Sequence, residues 1–107
     1  MGKVPAIKHG DQVVTECAAI CAYLADAFPE SNLAPAVGDR ADYYRCLFFY
    51  AGPLESVITN KSFGFETDQQ QQRMAGYGTY DLSLSVLGDL IGSRCLSRQS
   101  NRFWFTV

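Results

Sequence analysis

The sequence predicts a mainly α protein of the α+β class, in which a β-hairpin and a helix precede two long antiparallel helices. Three observations support this fold class. Two short extended segments meet at a turn near the start, an apolar stripe with helical spacing follows them, and two longer helical stripes lie beyond a proline-containing linker. With 107 residues and 48% hydrophobic residues, the chain is large enough for one domain or for pieces of two.

The hairpin is predicted from proline and turn chemistry. Pro5 disfavours the α region for Val4, so residues 4–8 are expected to be extended. Residues 9–12 contain Gly10 and have the composition of a turn, and residues 12–14 supply a second short strand. The two strands therefore form a hairpin.

The first helix is predicted to begin directly after this hairpin. Thr15 is the expected N-cap, and Glu16 favours the positive end of the helix dipole. Pro29 ends the helix. The helical stripe consists of Cys17, Ile20, Cys21, Leu24 and Phe28.

A linker with two prolines and one glycine, residues 29–38, divides the chain. We place a lobe boundary inside it, which gives three regions: residues 1–33, residues 34–92 and residues 93–107. The last region is polar and basic and then aromatic, and no helical or strand period organises it. We expect it to be an irregular tail.

Two long helices are predicted in the second region, residues 34–92. Asp39 is a plausible cap for the first, Pro53 is expected to bend it, and residues 61–65 are its expected end. Thr67 or Asp68 is expected to cap the second. The first stripe is Tyr44, Leu47, Phe48, Ala51, Leu54 and Ile58, and the second is Met74, Tyr77, Tyr80, Leu84, Leu87 and Ile91. Because the link between them is short, the helices are expected to be antiparallel.

Charge and hydropathy exclude some classes of partner. A net charge of −2 gives no electrostatic reason to expect nucleic-acid binding, which needs clustered Lys and Arg. No apolar run approaches the roughly 20 residues of a membrane-spanning helix, so we expect no membrane partner. A cytoplasmic location is the default expectation.

The four cysteines do not have the spacing of a metal site. No Cys-x-x-Cys pair is present, and the chain has one histidine, so we expect no bound metal. Free cysteine behaves as a small hydrophobe, and we therefore expect reduced, mostly packed thiols. A redox-sensing role is the alternative.

Three segments carry a resemblance to a known family. Residues 2–6 (GKVPA), 14–24 (VTECAAICAYL) and 39–49 (DRADYYRCLFF) resemble bacterial-type glutathione S-transferases. The resemblance covers about residues 2–90. It implies that residues 1–33 are the C-terminal half of a thioredoxin-like glutathione-binding domain, and that residues 34–92 are part of the all-α transferase C-terminal domain. The implied activity is transfer of glutathione to electrophilic substrates.

The resemblance also implies site residues. Val4 would bind the cysteinyl backbone of glutathione, Pro5 would be the cis proline, and Glu16 and Cys17 would hold the γ-glutamyl group. This chemistry is reasonable because a helix N-terminus offers N–H groups to a carboxylate, and an acidic side chain offers a counter-charge to an ammonium. Without the resemblance, the same residues are a turn and an ordinary capped helix.

Two departures from the family pattern affect the expected activity. The family usually has serine at the position of Cys17, and a thiol is a poorer hydrogen-bonding group than a hydroxyl. The family's catalytic Tyr, Ser or Cys lies in a strand–helix unit that precedes the matching segment. We therefore expect a fragment with no catalytic residue, inactive by itself, with glutathione as its co-substrate ligand and no other cofactor.

Several alternatives remain open from the sequence. Tyr44 and Phe48 are candidates for an apolar co-substrate pocket, and plain core packing is the other interpretation. Cys17 as a nucleophile is a minor alternative, because helix N-termini favour thiolate. The second hypothesis for function is a non-catalytic interaction or dimerisation module with the transferase fold, and a homodimer is an expected partner state. A truncated gene product without activity is the third.

Overall fold

The computed structural model describes residues 2–92 and confirms the mainly α, α+β class. Its two strands are β1 (Ala6–His9) and β2 (Gln12–Thr15). Its α-helices are α1 (Cys17–Ala27), α2 (Ala41–Phe49), α3 (Glu55–Ser62), α4 (Gln69–Met74) and α5 (Tyr80–Leu90). A short 3-10 turn at Pro29–Ser31 lies in the predicted linker, and a second at Val37–Asp39 lies at the end of that linker. The predicted tail, residues 93–107, lies outside the described residues.

The predicted hairpin forms, with strands at residues 6–9 and 12–15 in place of the expected 4–8 and 12–14. β1 and β2 are antiparallel, and their register pairs Ala6 with Thr15 and His9 with Gln12. Gly10 has φ 59°, in the left-handed region that glycine adopts without a steric penalty. This conformation closes the turn between the strands.

The start of α1 differs from the prediction by one residue. Thr15 pairs with Ala6 in the hairpin, so it belongs to the strand and does not cap the helix. Glu16 is the N-cap residue, and no side chain accepts a hydrogen bond there. Glu16 has φ 68° and ψ 123°, a conformation that non-glycine residues rarely adopt. The chain therefore turns sharply from strand to helix at this residue.

Pro53 produces a local change of helix type. A π-helical segment, Tyr50–Leu54, joins α2 to α3 and contains this proline. Proline removes one backbone donor and crowds the preceding turn, and a wider turn accommodates both effects. The sequence therefore located the irregularity correctly, and the structure shows its form.

The end of α3 lies where the sequence predicted a break. Phe65 N donates to Asn60 O at 2.8 Å, and Gly64 N donates to Lys61 O at 3.1 Å. Gly64 has φ 68°. These bonds and the left-handed glycine form a Schellman motif, which satisfies carbonyl groups of the last turn.

The last predicted helix is interrupted, which corrects the expectation of one continuous segment. Asp68 caps α4 in a capping box with Gln71, as one of the two predicted caps. The helix then breaks over residues 75–79, and Thr79 caps α5 by accepting from Leu82 N at 3.2 Å. Gly76 lies in this break, where its low helix propensity favours an interruption.

The core is small and lies where α1, the π-helical segment, α3 and α5 meet. Its side chains are Ile20, Ala25, Leu54, Val57 and Leu90, and Ser83 is buried beside them. Many other large apolar side chains of the described residues stay exposed. Apolar burial is the main favourable term in folding, so a core of this size stabilises the chain only modestly.

An ion pair bridges the predicted lobe boundary. Arg40 Nη1 donates to Asp26 Oδ1 at 2.9 Å, and Arg40 Nε donates to the Pro35 carbonyl at 3.0 Å. The Arg40 side chain is 18% exposed and that of Asp26 59%.

Within residues 2–92, no helix has the length and apolar character needed to cross a membrane.

Candidate functional site

The N-terminus of α1 is an open group of backbone donors. Ile20 N donates to Glu16 O at 2.9 Å, which is the first bond of the helix. No side chain of the described residues caps the N–H groups before it, at Cys17, Ala18 and Ala19. Glu16, Cys17 and Ala19 are exposed. Unpaired N–H groups at a helix N-terminus attract anionic groups such as carboxylates.

The hairpin brings Val4 and Pro5 to the same end as this helix start. The ladder pairs Ala6 with Thr15, so the residues just beyond it, Pro5 and Glu16, leave the hairpin side by side. The Val4–Pro5 peptide bond is cis. Val4 is 90% exposed, so its backbone is open to solvent. The four residues assigned to glutathione binding from the sequence are therefore at one end of the hairpin.

The cysteines differ from the expectation of packed, reduced thiols. Cys17 and Cys21 are free but exposed, because the small core reaches only Ile20 and Ala25 on this helix. Cys46 is disulfide-bonded, which corrects the expected reduced state at that position. Partial burial, and then the neighbouring Cys17 thiol, raise the pKa of Cys21. Cys21 is therefore held in its protonated form over a wider pH range than an ordinary thiol.

Tyr44 and Phe48 lie on an exposed face of α2. They are four residues apart and therefore share one side of the helix. Phe48 is 69% exposed and Tyr44 is partly exposed, so neither lies in the core described above. The Tyr44 ring lies 5.3 Å from that of Tyr43. Burial, and then the Asp26 carboxylate of α1, raise the pKa of Tyr43.

A cleft of about 310 Å³ lies away from the predicted site residues. Lys61 Nζ lies 3.6 Å above the centre of the Tyr80 ring, and Asn60 Nδ2 donates to the Tyr77 hydroxyl at 2.8 Å. The sequence did not single out these residues as a group, because their pairing depends on how the chain folds back after α3. The cleft is lined by residues between 57 and 67 and between 72 and 81, and Val4, Pro5, Glu16, Cys17, Tyr44 and Phe48 do not line it.

A second group that sequence reasoning missed surrounds His9. The Tyr23 hydroxyl donates to Gln12 Oε1 at 2.9 Å and lies 2.8 Å from His9 Nδ1. The His9 and Phe28 rings lie 5.5 Å apart. These contacts connect the turn end of the hairpin, at His9 and Gln12, to the middle and the C-terminal end of α1.

Metal ligands do not converge in the part of the chain that the structure describes. No three His, Cys, Asp or Glu side chains of residues 2–92 are grouped so that they could hold an ion together. The open backbone at the start of α1 offers hydrogen-bond donors and the positive end of a helix dipole. This arrangement is suited to binding a small anionic or zwitterionic molecule.

Comparison with known proteins finds one local similarity. The chain is similar to Protein LigF of Sphingobium sp. (strain NBRC 103272 / SYK-6), with 57% identity over 37 residues. That stretch is 33% of this chain and 14% of LigF, so the chain matches a small part of that protein. No family model matches the sequence, and no solved structure matches the chain.

Proposed function

We propose that this chain is a glutathione S-transferase-like protein that keeps part of a glutathione-binding site. The observation that carries the proposal is the uncapped, exposed start of α1 beside the Val4–Pro5 end of the hairpin. The local similarity to LigF supports a transferase-like relationship for this chain. The proposal therefore rests on the family resemblance of these residues and on their position at one end of the hairpin.

Each proposed contact uses a group that is exposed. The γ-glutamyl carboxylate would accept from the Cys17 backbone N–H, where the helix dipole favours negative charge. The γ-glutamyl ammonium would contact the Glu16 carboxylate. The backbone of Val4 would pair with the cysteinyl part of the peptide, as strands recognise extended peptides. Tyr44 and Phe48 would offer an apolar surface to a co-substrate.

The test is a glutathione titration followed by backbone amide NMR. We expect the amide signals of Ala6, Glu16 and Cys17 to shift together, with a single dissociation constant. Glu16→Gln removes the counter-charge for the ammonium but keeps an oxygen acceptor. It should weaken binding by about tenfold, because a charge-assisted hydrogen bond of roughly 1.5–3 kcal/mol is replaced by a neutral one of roughly 0.5–1.5 kcal/mol. Cys17→Ser should retain binding, because the backbone N–H remains.

Glu30→Gln is the matched control, since Glu30 is an exposed carboxylate in the Pro29–Ser31 turn. It should bind glutathione like the unchanged protein. Absence of any glutathione-dependent shift in a folded sample would contradict the proposal, and so would equal effects of the two substitutions. We also propose that the chain alone conjugates no glutathione. Turnover with an electrophilic substrate would contradict that part.

A second candidate function is a non-catalytic module that makes protein contacts or dimerises. The observation in its favour is a series of exposed large apolar side chains along residues 44–58, which include Tyr44, Phe48, Tyr50 and Ile58. A stable homodimer in analytical ultracentrifugation, together with no retention on immobilised glutathione, would favour this function over the first.

A further inference from the structure

Cys17 and Cys21 form a pair of thiols on one side of α1. They are four residues apart in a continuous helix, which places their Cβ atoms about 5–6 Å apart. Both thiols are free and exposed. Partial burial, and then the Cys17 side chain, raise the pKa of Cys21.

This spacing is unfavourable for a direct disulfide but suitable for a bridging atom. A disulfide needs Cβ atoms about 3.5–4.5 Å apart, which is shorter than the helical separation. One atom inserted between the two sulfurs lengthens the bridge and removes the need to distort the helix. The ligand must therefore be an atom that takes two sulfur ligands.

Coordination chemistry narrows the chemical class of the bridging ligand further. Zinc at a structural site requires four ligands in a tetrahedral arrangement. Among residues 2–92, no group of three His, Cys, Asp or Glu side chains could hold a metal ion together, so Cys17 and Cys21 have no further protein ligand of this kind. Thiolates are soft ligands and select soft ions. We propose that Cys17 and Cys21 form a two-thiol chelating site for a trivalent organoarsenical.

The reaction needs no oxidant or reductant. An arsenoxide R–As=O and the two thiols give R–As(S-Cys17)(S-Cys21) and one water molecule. Two As–S bonds form, the As=O bond breaks, and both thiol protons leave in the water. The arsenic stays trivalent and both sulfurs keep their oxidation state, so the step balances with the protein and the ligand alone.

The test uses phenylarsine oxide as the probe and intact-mass spectrometry of the folded protein. We expect one equivalent bound, with a mass gain of one probe molecule less one water. The second sulfur binds intramolecularly, and such linkage typically strengthens binding by about 10²–10⁴-fold. Cys17→Ser and Cys21→Ser should therefore each weaken binding by at least about 100-fold.

A Cys46→Ser/Cys95→Ser background leaves these two thiols as the only ones in the chain, and it should bind like the unchanged protein. If that background does not fold, tryptic mapping of the arsenical-treated unchanged protein locates the bridge on the peptide that contains both residues. Single-serine variants that bind as tightly as the unchanged protein would overturn the proposal, as would two equivalents bound independently. Glutathione is absent from this experiment, so its result is independent of the function proposed above.

Discussion

The imidazole of His9 and the hydroxyl of Tyr23 lie 2.8 Å apart, and this contact joins the end of β1 to the middle of α1. A hydroxyl has one proton, and that of Tyr23 is donated to Gln12 Oε1. His9 Nδ1 donates to the Tyr23 oxygen in the imidazole tautomer that carries its proton on Nδ1. One side chain on α1 thus holds both strands of the hairpin, whose Val4–Pro5 end forms part of the proposed site.

Tyr23→Phe tests the contribution of this bridge to stability. The substitution keeps the ring and removes both hydrogen bonds, each of which contributes about 0.5–1.5 kcal/mol net. Because the groups are exposed, we expect the free energy of unfolding in urea to fall by about 1 kcal/mol. Tyr50→Phe is the control, since Tyr50 is a partly exposed tyrosine elsewhere and should change stability little. Equal losses in the two variants would contradict a role for the bridge.

The parts of the fold that sequence predicts are those decided by a few neighbouring residues. Pro5 and Gly10 define the hairpin, Pro53 locates the π-helical segment, and Gly64 ends α3. Each of these residues restricts or frees its own backbone, so a local pattern is sufficient. The same reasoning gave Thr67 and Asp68 as the two expected caps, and Asp68 is the one that caps α4.

The parts that sequence missed depend on residues distant in the chain. Thr15 has the chemistry of an N-cap, but its pairing with Ala6 holds it in the strand and moves the turn to Glu16. The apolar stripe predicted for α1 includes Cys17 and Cys21, but both side chains are exposed and lie outside the core. Lys61 and Tyr80 are 19 positions apart, and no periodicity predicts that they meet.

Glu16 is expected to be a strained residue, and glycine should relieve the strain. A non-glycine residue in such a sparsely populated region costs about 1–3 kcal/mol. Glycine adopts positive φ without this cost, although it loses roughly 0.5–1 kcal/mol more in backbone entropy on folding. We therefore expect Glu16→Gly to be more stable than Glu16→Ala by about 1 kcal/mol.

The comparison of Glu16→Gly with Glu16→Ala isolates the effect of backbone conformation on stability, because both substitutions remove the carboxylate. Urea unfolding measures the difference in free energy of unfolding between the two variants when their m-values are equal. Glu30→Ala and Glu30→Gly form the control pair, since Glu30 lies in the Pro29–Ser31 turn with ordinary backbone geometry. If glycine gave no advantage over alanine at position 16, the strain would be absent.

The raised pKa of Cys21 predicts a slow reaction with iodoacetamide at neutral pH. Only the thiolate is nucleophilic, and burial first, then Cys17, keeps Cys21 protonated. The alkylation rate should therefore rise with pH and reach its midpoint above that of an unfolded thiol. Cys17→Ala should lower this midpoint without restoring the ordinary value, since burial remains. Peptide mapping separates the two sites, and a midpoint unchanged by Cys17→Ala would show that burial acts alone.

Substitution of Gly64 and of Gly88 by alanine should change the free energy of unfolding in opposite directions. Gly64 has φ 68° in the Schellman motif that ends α3, and an L-residue in the left-handed region costs about 1–2 kcal/mol. Gly88 lies inside α5, and apart from its chain neighbours and the backbone of its own helix, a Cβ there would meet no atom of the described residues within 4 Å. Gly88→Ala should therefore stabilise the protein by about 0.5–1 kcal/mol through helix propensity, whereas Gly64→Ala should destabilise it by about 1 kcal/mol.

Gly64→Asn provides an intermediate case, because asparagine tolerates the left-handed region better than alanine does. We expect its free energy of unfolding to lie between those of the unchanged protein and Gly64→Ala. All three variants are measured by urea unfolding monitored by circular dichroism at 222 nm, a helix-sensitive signal. If Gly64→Ala did not destabilise the protein, the positive φ at Gly64 would not be what ends α3. Residues 60–65 would then have to stop the helix through their hydrogen bonds alone.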